Sequence, residues 1–193
     1  MNDLCIILDG SQLTPKKLHQ IAHGAQVVLC PKARLRMEHN SQDIEASILT
    51  DKHLWLTGES TQQSGPELIR RFILSHCAGV GDPLPDVIVR AAMAARVNVL
   101  ASGVTGSRPI AADKLIEMLN ENIVPKVPAQ GSVGAAGDLA PMAHIARVVC
   151  GYSPHHPIKS PLIPTSKEAL ALINGASLSA ALAGIAIVRT KRV

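Results

Sequence analysis

The chain has 193 residues, a formal net charge of +4 and only three aromatic residues, Trp55, Phe72 and Tyr152. Its basic residues are scattered and are not interleaved with aromatic side chains on which bases stack, so the composition argues against a nucleic-acid partner. Because the core must be packed from Ala, Leu, Ile and Val, closely packed helices are favoured and the predicted fold class is mainly α.

The cysteines indicate a reducing compartment. The chain has four of them, in separate apolar segments and without a CxxC pair: Cys5, Cys30, Cys77 and Cys150. This usage is typical of buried reduced thiols and predicts a cytoplasmic protein. The apolar run near the N-terminus, "LCIIL", is too short for a signal peptide and lacks a basic flank.

The first part of the chain predicts a strand, a helix and a second strand. "CIILDG" and "QVVLCP" are short apolar runs bounded by turn residues, and they flank a helix from Pro15 to about His23 with Thr14 as its N-cap. A polar helix is expected from Ala33 to about Leu49. The segment "TDKHLWLTGESTQQSGP" then breaks the periodicity and predicts a loop.

Helices are expected again in the second part of the chain, in "PELIRRFILSHCAG", "PDVIVRAAMAARVNVLASG" and "PIAADKLIEMLNENIV". The prolines of "PKVPAQ" predict extended backbone. Asp138 is placed to cap a helix from about Leu139 to Cys150, which Gly151 ends, and a final helix begins near Lys167. Without a repeat or an interdomain linker, residues 1–193 are predicted to form a single domain with a small N-terminal β element.

The last helix raises a membrane alternative. The segment "ALALINGASLSAALAGIAIV", 169–188, is about as long as a bilayer span and precedes a basic cluster. Three polar residues interrupt it, Asn174, Ser177 and Ser179. They favour a buried helix in a helical core or at an oligomer interface, and we predict no membrane partner.

One glycine-rich segment carries the strongest indication of function. "GSVGAAGDLAPMAH", 131–144, resembles the signature "GSVGASGDLAPLAH" of the aromatic amino acid ammonia-lyase family, which includes the histidine and phenylalanine ammonia-lyases. Three further segments resemble family segments in the same order: "LSHCAGVG", "RVNVLASGVTGSRP" and "LINGAS". The resemblance covers nearly the whole chain but well under half of a typical member, and it implies a helical bundle of the ammonia-lyase type.

The resemblance also identifies a missing prosthetic group. In the family an Ala-Ser-Gly tripeptide cyclises and loses two waters, one of which carries the serine hydroxyl, to give an electrophilic methylidene-imidazolone. Here the tripeptide is Ala135, Ala136 and Gly137. Alanine has no hydroxyl to eliminate, so we predict that the group does not form and that no other cofactor is bound.

A second departure concerns the catalytic tyrosine. The family's substrate loop "YGINTGFG" corresponds to the region between Leu49 and Pro66, where this chain has no tyrosine. The single tyrosine, Tyr152, follows the signature helix. The phenol that the family uses as a general acid or base is therefore predicted to be absent.

Other family positions are retained unevenly. Asn174 matches an asparagine that contacts the prosthetic ring, and His76, preceded by Ser75, matches a pair found in histidine-selective members; both are predicted substrate-binding residues. Asp138 and Gly134 match supporting positions directly. In contrast, Ser102 and Ala176 replace an arginine and a threonine of the family segments.

Structural roles compete with these assignments. A lone histidine at a helix end, such as His76, commonly caps the helix or packs in the core, and Asn174 in an apolar helix has its amide available to neighbouring backbone. His155 and His156 lie in a proline-rich loop without further ligands, so no metal site is predicted. Cys77, with apolar neighbours, is expected to be a buried thiol.

Together these features predict a degenerate histidine ammonia-lyase-like protein. It resembles a carbon–nitrogen lyase but is expected to be inactive as an isolated chain, and to act as a binding or regulatory partner or to persist as a relic. The expected partners are an amino-acid ligand and either further copies of the chain or a longer lyase-like chain. The alternatives are a subunit of a split ammonia-lyase acting on histidine or a related aromatic amino acid, and a protein in which Ala136 was introduced to trap an uncyclised precursor.

Overall fold

The computed structural model describes residues 5–50, 65–134, 137–154 and 158–190. Their secondary structure is mainly helical, as predicted. In chain order the elements are β1 Cys5–Leu8, α1 Pro15–Ala22, β2 Gln26–Leu29, α2 Pro31–Thr50, α3 Pro66–Ser75, β3 Val80–Pro83, α4 Asp86–Ala101, α5 Pro109–Asn120, β4 Pro128–Gln130, α6 Leu139–Val149, α7 Ser166–Ile173 and α8 Ser177–Thr190.

The N-terminal strand–helix–strand unit is confirmed. Strands β1 and β2 pair in parallel, with Cys5 opposite Gln26, and α1 connects them. The Thr14 hydroxyl accepts a hydrogen bond from the Lys17 N–H at 3.3 Å, and Pro15 begins the helix, where its missing N–H costs nothing. The local capping signals therefore determined this element.

Asn120, the last residue of α5, attaches this unit to the bundle. Its amide accepts from the Val27 N–H at 2.9 Å and donates to the Val27 carbonyl at 2.9 Å, so it continues the ladder of β2 as a strand would.

We expect Asn120→Ala to lower the free energy of unfolding by about 1–2 kcal/mol, because two partly buried backbone groups lose their partner. Urea denaturation measures the loss. Asn40→Ala is the control, since Asn40 donates a single bond of 3.2 Å to Gly103. An equal loss in the two variants would contradict the bridging role.

Helix α4 lies at the centre of the bundle and packs against α1, α5 and α8. It is apolar on all sides and nearly completely buried, as a central core helix is. Its many alanines allow neighbouring helices to approach closely. The buried Arg90 side chain donates to the carbonyls of Ile21 and Leu119, so its charged group is satisfied inside the core.

A small antiparallel ladder joins β3 to β4, with Val80 opposite Gln130 and Pro83 opposite Pro128. The sequence predicted extended backbone for "PKVPAQ" but no partner for it, because prolines and glycines obscure the alternating pattern of a strand. The ladder places the turn after α3 against the start of the signature segment. An ideal Cβ at Gly131 would lie 3.0 Å from the Gly79 Cα.

The helix predicted to begin near Lys167 begins at Ser166, but it is not the final one. The chain forms α7 and α8, separated by a turn, because Asn174 is extended and Gly175 has a φ of +146°. A capping box of Thr165 and Glu168 starts α7. Within the described residues, Ser166–Thr190 is long and apolar enough to be a membrane-span candidate, with a mean hydropathy of 1.9, but the turn at Asn174 divides it.

Candidate functional site

Asp138 anchors the end of the signature loop, which is the part of the signature segment that precedes α6, 131–138. It is 1% exposed, and its carboxylate accepts hydrogen bonds from the Ser132 hydroxyl at 2.7 Å and from the Ser179 N–H and hydroxyl at 2.8 Å each. Asp138 stands at the N-cap position of α6, as predicted, but its side chain makes no capping bond there. It caps α8 instead, because Ser179 lies in the first turn of that helix.

The charge of Asp138 is stabilised despite its burial. Burial, the largest single influence, raises the pKa of this carboxyl, but the hydrogen bonds from Ser179 and Ser132 together bring the pKa below its ordinary value. Asp138 is therefore an anion at neutral pH. It is held at the first turn of α8, where the helix dipole also favours negative charge.

The signature loop and the turn between α7 and α8 are packed backbone against backbone. The Asp138 N–H donates to the Gly175 carbonyl at 3.0 Å. An ideal Cβ at Gly137, whose φ is +107°, would lie 2.5 Å from the Gly175 nitrogen. Both the positive φ and the collision of a side chain with Gly175 require glycine at residue 137. The last residue of the tripeptide is therefore held against the turn that carries Asn174.

A buried arginine lies beneath this turn. Arg96, from α4, is 1% exposed, and its Nη1 donates to the carbonyls of Ala171 and Asn174 at 3.2 and 3.0 Å. Burial lowers the pKa of Arg96 to about 10, which the charge of Asp138 partly offsets. The guanidinium therefore stays protonated at neutral pH and binds the end of α7 to α4.

His76 ends α3 and takes part in its cap. Its Nδ1 lies 2.8 Å from the Phe72 carbonyl oxygen. A carbonyl only accepts hydrogen bonds, so Nδ1 carries a proton and donates it, and Nε2 takes no part in this bond. The ring also packs against Phe72, with 4.7 Å between the ring centroids. The structural role anticipated for this histidine is therefore observed.

Comparison with known proteins identifies the family. The "Aromatic amino acid lyase" family profile matches residues 13–193. The chain belongs to the aromatic amino acid lyase family.

Individual members of the family are similar over nearly the whole chain. The histidine ammonia-lyase of Caldanaerobacter subterraneus subsp. tengcongensis is 35% identical over 97% of this chain and 42% of that protein. The crystal structure of histidine ammonia-lyase from Trypanosoma cruzi superposes with a TM-score of 0.83 at 30% identity, over 96% of this chain and 40% of the other. Tyrosine aminomutase from Streptomyces globisporus superposes with a TM-score of 0.84 at 28% identity, over 96% and 39%.

These comparisons confirm the resemblance to histidine ammonia-lyases and the mainly α, ammonia-lyase type of fold. The chain spans about two fifths of the length of the curated relatives it matches.

The residues expected from the family resemblance are brought together only in part. Gly137 and Asp138 contact the turn that begins at Asn174, whose side chain is exposed. Gly134 is exposed, with a φ of +71° and open space where a side chain would lie. Ala135 and Ala136 lie outside the described residues, as do residues 51–64 of the loop predicted for 50–66.

No metal site is found in the part of the chain that the structure describes, where no three His, Cys, Asp or Glu side chains are grouped as ligands. His155 and His156 lie outside it. Cys77 is partly buried, and burial raises the pKa of its thiol.

Sequence reasoning missed the residues that hold the family's loop in place. Ser132 lies within the signature segment, six residues from Asp138, but Ser179 and Arg96 reach the loop only through folding, and Ser179 lies 41 residues from Asp138. Ser179 was recognised only as an interruption of an apolar run. Serines at the start of an otherwise apolar helix are a usable signal, because their hydroxyl groups can form hydrogen bonds with a distant segment.

Proposed function

We propose that this chain is a non-catalytic, histidine ammonia-lyase-like protein that binds an amino acid and assembles with other chains. The observation that carries the proposal is Ala136, which stands where the family's self-processing tripeptide has serine. Residues 1–193 act in this proposal as one unit equivalent to the N-terminal part of a lyase, in a cytoplasmic protein.

The chemistry of the tripeptide excludes the family's electrophile. Ring closure joins the Gly137 nitrogen to the Ala135 carbonyl carbon and releases one water. Formation of the exocyclic methylidene carbon then requires loss of a hydroxyl from the central side chain, which Ala136 does not have. The residues present do not fit the methylidene-imidazolone, so no deamination step is assigned to this chain.

Polar groups at the predicted substrate-binding residues support retained binding. The His76 Nε2, which is not used in the helix cap, and the exposed Asn174 amide offer polar contacts to a small amino acid. Asp138 and Gly137 keep the loop fixed by contacts that do not depend on the serine hydroxyl. An assembly with further copies, or with a longer lyase-like chain, would supply the remaining groups of an amino-acid site.

The mass of the signature loop tests the chemical part of the proposal. We expect the wild-type peptide that spans 131–137 to have its unmodified mass. We expect Ala136→Ser to lose two waters, because the flanking anchors are in place and the hydroxyl is restored. Peptide mass spectrometry measures both variants, and Ala135→Ser, with the hydroxyl one residue away, is the control. Loss of two waters from the wild-type loop would overturn the proposal.

Ammonia release from L-histidine tests inactivity directly. The isolated wild-type chain is expected to release none, because it lacks both the electrophile and a tyrosine in 50–65.

Native mass spectrometry of the chain purified from its host then identifies its partner. A complex with a longer lyase-like chain that releases ammonia only when both are present would favour the alternative, a split lyase. Activity of the isolated chain would refute both accounts.

A further inference from the structure

A cavity of about 620 Å³ lies between α1, α4 and α8. This volume is within the range of pockets that hold small organic ligands. Most of its lining is aliphatic, including Leu13, Leu18, Val99, Ala180, Ala183 and Ile187. Such walls favour the apolar body of a ligand over water.

The lining of the cavity also includes polar residues and one positive charge. Arg96 and Ser177 line it together with residues of the turn between α7 and α8. Only the Nη1 of Arg96 is paired: Nε and Nη2 are buried and have no hydrogen-bond partner among the described residues, and the same holds for the Ser177 hydroxyl. Unpaired buried donors of this kind are costly, and an acceptor that reached them would be bound strongly.

The absence of a side chain at Gly175 is part of this arrangement. An ideal Cβ at Gly175 would lie 2.5 Å from the Arg96 Nη2, so any other residue would collide with the guanidinium. Asn98 also lines the cavity, but its carbonyl oxygen already accepts the Gly10 N–H at 3.1 Å. Arg96 is the charged group among the described lining residues, and no carboxylate lies among them.

We propose that this cavity binds an organic acid with one carboxylate and a slender apolar body. The carboxylate accepts from the Arg96 guanidinium and the Ser177 hydroxyl, and the body lies between α1, α4 and α8. A planar guanidinium suits a carboxylate because it presents two parallel N–H groups.

The cavity shares Asn174 with the amino-acid site of the proposed function but is otherwise separate from it. Neither His76 nor Gly137 lines the cavity. The two sites share the turn at Asn174–Ser177, however, and Gly137 and Asp138 rest on this turn from the other side. Occupation of the cavity is therefore expected to shift the backbone resonances of Gly137 and Asp138 as well as those of its own lining.

Octanoate and 1-octanol are the probes, because they share an apolar chain and differ in the charged head. We expect octanoate to bind the full chain in calorimetry at least tenfold more tightly than 1-octanol, since a charge-assisted hydrogen bond contributes at least this factor. Equal affinity for the two probes, or no binding of octanoate, would overturn the proposal.

Two variants locate the site without touching the guanidinium. Ala180→Leu fills the cavity from an exposed position of α8 and is expected to weaken octanoate binding at least tenfold. Leu182→Ala changes an exposed residue of the same helix outside the lining and is expected to leave the affinity unchanged. Arg96→Lys keeps the positive charge but loses the two parallel N–H groups of the guanidinium, so it is expected to bind octanoate more weakly than wild type. Unchanged affinity in Ala180→Leu would place the ligand elsewhere and refute the proposal.

Discussion

Replacing Asp138 with alanine is expected to lower the free energy of unfolding by about 3–5 kcal/mol, a large part of the stability of an ordinary domain. The substitution leaves the Ser179 N–H and two hydroxyls without their acceptor. It also removes the negative charge that partly compensates the burial of the positively charged Arg96. Urea denaturation followed by circular dichroism measures the effect.

The control is Asp113→Ala. Asp113 pairs with Arg34 at 2.6 Å, but its side chain is 34% exposed, and a pair that solvent reaches contributes about 1 kcal/mol or less. Similar decreases in the free energy of unfolding for the two variants would show that Asp138 does not anchor the loop as argued.

The stability that Asp138 contributes depends on pH in a defined direction. Because its pKa is lower in the folded chain than the ordinary value of 3.8, the contribution is complete above that value. It is lost as the pH falls through the folded pKa. The difference in unfolding free energy between wild type and Asp138→Asn is therefore expected to be constant near neutral pH and to shrink only in strongly acidic solution.

Local signals in the sequence were sufficient for the elements that local interactions determine. Thr14 and Pro15 started α1, and Gly151 followed α6, as capping preferences predict. The β3–β4 ladder and the break at Asn174 were missed because they depend on contacts between distant segments. The turn at Asn174 is held by Arg96, and no periodicity within the last segment reports that contact.

In the candidate site, too, local features were predicted from the sequence and contacts between distant segments were not. The resemblance of 131–144 to the family signature located the loop, but it did not show how the loop is held. Asp138 was assigned to the nearest helix start, which is the local choice, whereas its carboxylate is bound by Ser179, far along the chain. The loss of the central hydroxyl, in contrast, is a property of one residue and was evident from the sequence.

The contacts that hold the loop come from described residues on either side of Ala135 and Ala136. Ser132, Asp138 and Ser179 hold the carboxylate network, while Gly137 and Gly175 make the close backbone contact. In the proposed function, Ala136 removes the family's chemistry, and none of these contacts is made by residue 136. In the proposed function, this separation would let a member of the family keep its fold and these contacts without the electrophile.

Gly137→Ala is expected to cost about 3–5 kcal/mol of unfolding free energy, or to prevent folding. A φ of +107° disfavours any side chain, and the new Cβ would lie 2.5 Å from the Gly175 nitrogen, which as backbone cannot move aside cheaply. Urea denaturation of the soluble variant measures the loss.

Two other glycines are controls that separate the cost of the collision from the cost of the left-handed backbone conformation. Gly134 and Gly24 also have positive φ, +71° and +102°, but nothing lies within 4 Å of an ideal Cβ at either residue. Alanine there is expected to cost only about 1–2 kcal/mol, the penalty for left-handed backbone. If Gly137→Ala were as mild as these controls, the contact with Gly175 would not fix the loop. The alanine at residue 136 would then lie in a segment free to rearrange, and the account of a preserved framework would fail.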